Sequence, residues 1–180
     1  MISTRFARHI ALATTFTAAA LMSTAPASAE TTAQEKSLTL TTVNDYRAKY
    51  QARPLTWSDE LTPATEQHAK DCKFKHSNAS NGYGETLHAE TATDNQTAIK
   101  SAFRTWMAES DRYNYGNPGF SAQTGNFTQV VWQSTTQISL AVAQCPAGSI
   151  LPEASTYVVA RYTPAGNQLH KFPYNVGRPR

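Results

Sequence analysis

Cysteine is scarce: the 180 residues contain two, Cys72 and Cys145, and no CxxC pair. That excludes a zinc cluster built on thiolate pairs and a thioredoxin-like redox centre. Charge is scarce too, at 16% against ~25% in ordinary globular domains. No basic face is concentrated enough to bind nucleic acid. There is no nucleophile elbow, no Gly-rich phosphate loop and no HExxH. The longest apolar run, Ile10 to Met22, contains three threonines and falls short of the ~18 residues a membrane span needs, so no transmembrane segment is predicted. Repeats and low-complexity stretches are absent. What remains is a chain that is 40% hydrophobic and 10% aromatic, enough for one core and too apolar for disorder. Its polarity is mostly Thr, Ser, Asn and Gln, a composition common outside the cell.

The first 29 residues read as a secretory leader. Arg5, Arg8 and His9 form a positive start, the Ile10–Met22 run is the apolar middle, and Ala27-Ser28-Ala29 gives the small-residue cleavage pattern. Loss of the leader takes Arg5 and Arg8 away and brings the formal charge from +3 to +1. In an oxidising compartment an even cysteine pair predicts a disulfide between Cys72 and Cys145. Secretion also gives meaning to three N-x-S/T sequons, at Asn78, Asn95 and Asn126. Asn78 and Asn95 lie in polar, turn-like sequence and are the glycosylation candidates expected to be occupied, whereas Asn126 is harder to assign.

Residues 30–36 are polar and unpatterned and read as a flexible terminus. Leu40, Val43, Tyr46 and Tyr50 recur at helical spacing and predict a helix over 37–50, ended by Pro54. A second helix carries Leu61, Thr65, His68, Ala69 and Cys72 on one stripe, and starts either at Ser58 or at Thr62-Pro63. Residues 75–84 are turn chemistry. Thr93-x-x-Gln96 resembles a capping box opening a third helix with Ala98, Ile99, Ala102, Phe103 and Trp106 on its apolar stripe. Glu109 returns to that same stripe. The segment 114–125 cannot be helical, Phe127, Val130 and Val131 suggest a short fourth helix, and residues 138–142 and 156–162 read as paired antiparallel strands. Helices first and strands late point to one α+β domain over 37–180.

Read from residue types alone, the chemistry-bearing candidates are few. His68 and His88 stand singly. Ser77 neighbours His76, but adjacency in sequence does not make a catalytic dyad. His76, Glu85 and the oddly placed Glu109 are the one set that suits a cation such as zinc; a buried ion pair is the competing reading.

FKHS (74–77), YGETL (83–87), WMAE (106–109), TGNFTQVVW (124–132) and YVVARYTPAGN (157–167) occur in the order of the signature segments of the CAP superfamily of cysteine-rich secretory, antigen 5 and pathogenesis-related proteins. The stretch 112–137 most resembles its secreted fungal members. The resemblance runs from about residue 38 to Pro179. It implies a three-layer α-β-α sandwich around a small antiparallel sheet, and a cleft lined by two His and two Glu. By motif those positions are His76, Glu85, Glu109 and, where the family has its second His, Asn126. Two cysteines of the family pattern fall on Leu140 and Ala160, a bridge missing as a pair, while Cys72 and Cys145 match cysteines that are retained.

The resemblance implies a secreted, extracellular, non-enzymatic protein that binds sterols or related lipids, in a setting such as defence, virulence or lipid export. No cofactor is expected, and a divalent cation on His76, Glu85 and Glu109 is weakened because Asn126 replaces an imidazole. The loop 113–120 supplies the lipid-binding candidates Tyr113, Tyr115, Pro118 and Phe120, flat rings on a Gly/Pro frame. The same rings would equally serve to pack the loop onto the sheet. The alternatives are an extracellular protein-interaction or wall-associated factor, and a metal-dependent hydrolase working from the His/Glu cleft.

Overall fold

A computed structural model describes Met1, residues 30–78 and residues 82–180. The expected leader lies outside the described residues. Helix α1 (Ala33–Lys49) is followed by the short strand β1 (Thr56–Trp57), helix α2 (Thr62–Lys70) and strand β2 (Gly84–Thr91). Then come α3 (Asn95–Ala108), a 3-10 turn (Glu109–Arg112), α4 (Gly125–Val130), β3 (Gln137–Cys145), β4 (Ser155–Thr163) and the single turn α5 (Phe172–Asn175). Among the described residues no helix is long and apolar enough to cross a membrane.

The four strands form one sheet in the order β1-β3-β4-β2. β4 pairs antiparallel with both β3 and β2, and β1 adds a two-residue parallel edge. The sheet is therefore small and mixed rather than purely antiparallel. Alternation along β3 and β4 gives each face its own core. Ile138, Leu140, Val142, Val158, Ala160 and Tyr162 join Val43, Phe103, Trp106 and Phe127 from α1, α3 and α4. On the opposite face Ala141, Ala143, Cys145, Tyr157 and Val159 pack with Leu87 and with Ala69 of α2. Those are the three layers of an α-β-α sandwich. Leu140 and Ala160 sit directly opposite each other in the β3–β4 register and both are fully buried, so apolar packing fills the place where the family pattern has a bridge. The other bridge, Cys72–Cys145, is present and ties the end of α2 to the end of β3.

Two expectations are corrected and one unassigned segment proves to be a strand. The segment 30–36 is not a loose terminus: Thr32 caps α1 in a capping box with Glu35, whose carboxylate accepts the Thr32 backbone N–H at 2.8 Å. Glu35 is buried and also accepts Asn95 Nδ2 at 2.6 Å, so a polar sequence is ordered by a partner sixty residues away. The cap of α3 is Asp94, which accepts the Thr97 N–H at 3.0 Å. Thr93 instead donates its N–H to Thr156 Oγ1. Finally, β2 is a full strand that alternation did not signal. Its partner is fully buried β4, and its outer edge is covered where Trp106 Nε1 donates to the Leu87 carbonyl at 3.0 Å. Of the two starts open for the second helix, Thr62-Pro63 is the one adopted, with proline in the first turn.

Candidate functional site

The β2–β4 register sets Glu85 opposite Arg161. Arg161 is a lone charge in an otherwise buried strand, 3% exposed, and such a group needs a partner. It donates from Nε to Glu85 Oε2 at 3.0 Å. Ser77 adds its backbone N–H to Oε1 at 2.9 Å and its hydroxyl to Oε2 at 2.7 Å, and His76 Nδ1 lies 3.1 Å from Oε1. Burial alone would push the Glu85 carboxyl up. The hydrogen bonds from His76, Ser77 and Arg161 outweigh it and hold the pKa near 2. The Arg161 guanidinium also lies 4.5 Å from the centre of the Tyr83 ring.

Glu109 does different work. Its Oε2 accepts the backbone N–H groups of Asn126 and Phe127 at 2.9 and 3.0 Å, and its Oε1 accepts Asn126 Nδ2 at 2.7 Å. These amides are orphans of the first turn of α4, so Glu109 caps that helix from the end of α3. Its place on an apolar stripe is explained by the helix it must reach.

Gly84 and Gly166 lock the motifs together. A Cβ on Gly84 would collide with the Gln129 side-chain amide, and one on Gly166 would meet the same amide at 2.8 Å. Gln129 Oε1 accepts the Gly166 N–H at 2.9 Å. Asn167, at φ 54°, accepts from Thr128 Oγ1 at 2.6 Å and donates to the Gly125 carbonyl at 2.8 Å.

The result is a cleft of about 370 Å³ whose lining includes His76, Ser77, Tyr83, Glu85, Asn126 and Asn167, with Phe120 at its lip. The structure thus gathers His76, Glu85 and Asn126 at one cleft, while Glu109 stands behind Asn126 and outside the lining. Among the described residues no three His, Cys, Asp or Glu side chains converge as a metal site requires. The donor set does not fit a cation: both Glu85 oxygens are taken, an arginine sits against one of them, and both Glu109 oxygens hold α4 amides. Ser77 donates to Glu85 and shares a 3.0 Å contact with Tyr83 Oη, so it forms no dyad with His76. Sequence reasoning missed Arg161, Tyr83, Gln129 and Asn167. The lone arginine in TYVVARY was the one available signal.

The 113–120 loop is only partly as expected. Tyr113 is buried and meets Tyr115 and Phe127 edge to face at 4.8 and 5.6 Å. Tyr115 lies under the Arg178 guanidinium at 4.9 Å, and burial helps raise its hydroxyl to about 12. Both rings pack inward, and Tyr113 also lines the hollow beside Pro118 and Phe120. Pro118 lines a shallow hollow, and Phe120, 58% exposed, joins that hollow to the cleft. Of the sequons, Asn78 is exposed at the cleft rim. Asn95 and Asn126 both have their amide nitrogens bonded to carboxylates, Glu35 and Glu109.

Residues 40–162 match the model of the CAP, Cysteine-rich secretory protein family. Protein PRY2 of Saccharomyces cerevisiae is 33% identical over 124 residues, covering 68% of this chain and 34% of PRY2. The Golgi-associated plant pathogenesis-related protein 1 of Homo sapiens is 35% identical over 145 residues, covering 76% of this chain and 88% of that protein. The chain thus spans only about a third of PRY2, and 57% of another relative, the salivary antigen-5 of Triatoma infestans. Among solved structures, NaASP2 with Zn2+ superposes with a TM-score of 0.69 at 25% identity, covering 83% of this chain and 90% of that one. With the family model spanning most of the sequence and the same sandwich in the solved relative, this chain belongs to the cysteine-rich secretory protein (CAP) family.

Proposed function

We propose that this chain is a secreted, non-enzymatic CAP-domain protein, with a leader ending at Ala29 and a binding domain over 37–180, that takes a sterol or related small lipid beside the 113–120 loop. The observation that carries this reading is Phe120. It is a large apolar ring left 58% exposed at the junction of two hollows of about 370 and 210 Å³, where a flat ligand can cover it. Tyr115 supports the loop from below, under Arg178, and Tyr113 lines the smaller hollow beside Pro118 and Phe120. The non-enzymatic part is supported by the state of the two carboxylates. Glu85 is anionic with its oxygens occupied, and Glu109 is a helix cap, so neither is placed as a general base.

Binding of labelled ergosterol, with unlabelled sterol as competitor, tests the reading. Saturable binding that weakens at least ~5-fold in Phe120→Ala, with an unchanged melting temperature, is expected from the loss of a buried aromatic contact. No saturable binding, or full binding by Phe120→Ala, overturns it. N-terminal sequencing of protein from the culture medium checks the leader; a chain still starting at Met1 refutes cleavage after Ala29.

A further inference from the structure

Past the C-terminal end of α4 lies a third hollow, about 400 Å³, walled by Gln51 and Arg53 from the α1–β1 connection, Gln133, Ser134 and Thr136 from the α4–β3 connection, and Tyr174 from α5. The function proposed above does not use it.

Its walls are fixed rather than loose. Beneath it Arg47, fully buried, donates from Nε to the Arg53 carbonyl at 2.8 Å and from its terminal nitrogens to the carbonyls of Val130, Trp132 and Thr135 at 2.8, 3.0 and 3.1 Å. One guanidinium thereby joins both connections. Asn175 fixes the third wall: its Oδ1 accepts the Ser134 N–H and hydroxyl at 2.9 and 2.6 Å, and its carbonyl accepts the Gln133 N–H at 3.0 Å. Phe172, buried against Trp132, anchors the same turn. Tyr174 is therefore held on an ordered turn, yet its ring is 79% exposed.

The functional groups that remain form a distinct set. The Arg53 guanidinium and the Gln133 side-chain amide make no hydrogen bond among the described residues. The hydroxyls of Ser134 and Thr136 donate inward, to Asn175 and to the Thr163 carbonyl, and keep acceptor capacity on the hollow side. No carboxylate lines the hollow. A flat ring, an amide, two hydroxyl acceptors and one unpaired guanidinium call for a ligand with an apolar face, several hydroxyls and a carboxylate.

We propose that this hollow is a site for an acidic saccharide, with Tyr174 stacking on the C–H face of a uronate ring, Arg53 pairing its carboxylate and Gln133 meeting its hydroxyls. Because the walls are preorganised by Arg47 and Asn175, binding needs little ordering of the protein.

Calorimetric titration of the full protein with trigalacturonate, and with cellotriose as the neutral control, tests this. Tyr174→Ala and Arg53→Gln are exposed substitutions, and a thermal melt verifies that each is folded. The wild type is expected to bind trigalacturonate saturably. Each variant should weaken that binding by ~10-fold, through loss of the stacked ring or of the charge-assisted pair, while sterol binding stays unchanged. No saturable trigalacturonate binding, or folded variants that bind it as the wild type does, overturns the proposal. Cellotriose bound as tightly as trigalacturonate overturns the role assigned to Arg53.

Discussion

Asn126 is bonded to both oxygens of Glu109, through its backbone N–H at 2.9 Å and its side-chain amide at 2.7 Å. The residue that departs from the family's His/Glu pattern is thus the one that fastens α4 to the end of α3. Replacing it changes a helix cap as well as a cleft wall.

The Asn126→Asp variant sets a carboxylate where the amide donated to Glu109. Two carboxylates this close share a proton, so the pair titrates at raised pH in the folded state. The variant should lose roughly 1–3 kcal/mol at neutral pH and recover stability as the pH falls and the pair takes up its proton. Urea melts at pH 7 and pH 5 check this. A variant no more stable relative to wild type at pH 5 than at pH 7 would refute the like-charge contact.

Glu85 makes wild-type stability acid-sensitive. Its folded pKa of about 2 lies below the ordinary 4.5. The stabilisation, roughly 3 kcal/mol at ~1.4 kcal/mol per pKa unit, is fully present above pH 4.5 and is lost as pH falls toward 2. The melting temperature should decline across that window, and Glu85→Gln should flatten the decline while lowering stability at pH 7. Parallel acid slopes for wild type and Glu85→Gln would contradict the assignment.

Cys72 and Cys145 close a loop of 73 residues. A Cys72→Ser/Cys145→Ser double variant should lose ~2–5 kcal/mol and secrete poorly. Free thiols titrated in the native protein would show the bridge unformed.

Zinc should leave the wild-type melting temperature unchanged, because every Glu85 and Glu109 oxygen already has donors. A thermal shift titration with zinc and then chelator measures it. A stabilisation reversed by chelator would mean that these hydrogen bonds yield to a cation.

In a glycosylating host, sugar should reside on Asn78, which is exposed, rather than on the half-buried Asn95 or Asn126. The Asn95 amide is committed at 2.6 Å to the buried Glu35 carboxylate, and the Asn126 amide to Glu109. This narrows the expectation from sequence, which included Asn95. Peptide mapping decides, and equal occupancy at Asn95 would refute it.

The amino-acid sequence by itself determined what depends on local pattern or on a long motif. The helical stripes of α1 and α3, the β-branched run of β4 with its paired β3, the two-cysteine bridge and the membership carried by FKHS, YGETL and TGNFTQVVW are all of this kind. Period and motif are properties of neighbours in the chain. Tertiary structure decided the rest. β2 forms because buried β4 supplies its hydrogen bonds; residues 33–36 are held in the helix because Asn95 donates to Glu35; and Tyr113 and Tyr115 turn inward because Phe127 and Arg178 await them. Most telling is the fate of the carboxylates. The family resemblance marked Glu85 and Glu109 alike as cleft glutamates, yet the β2–β4 register gives one an arginine and the start of α4 gives the other a set of amides. What a carboxylate does depends on which donors reach it, and those donors come from segments that only folding brings together.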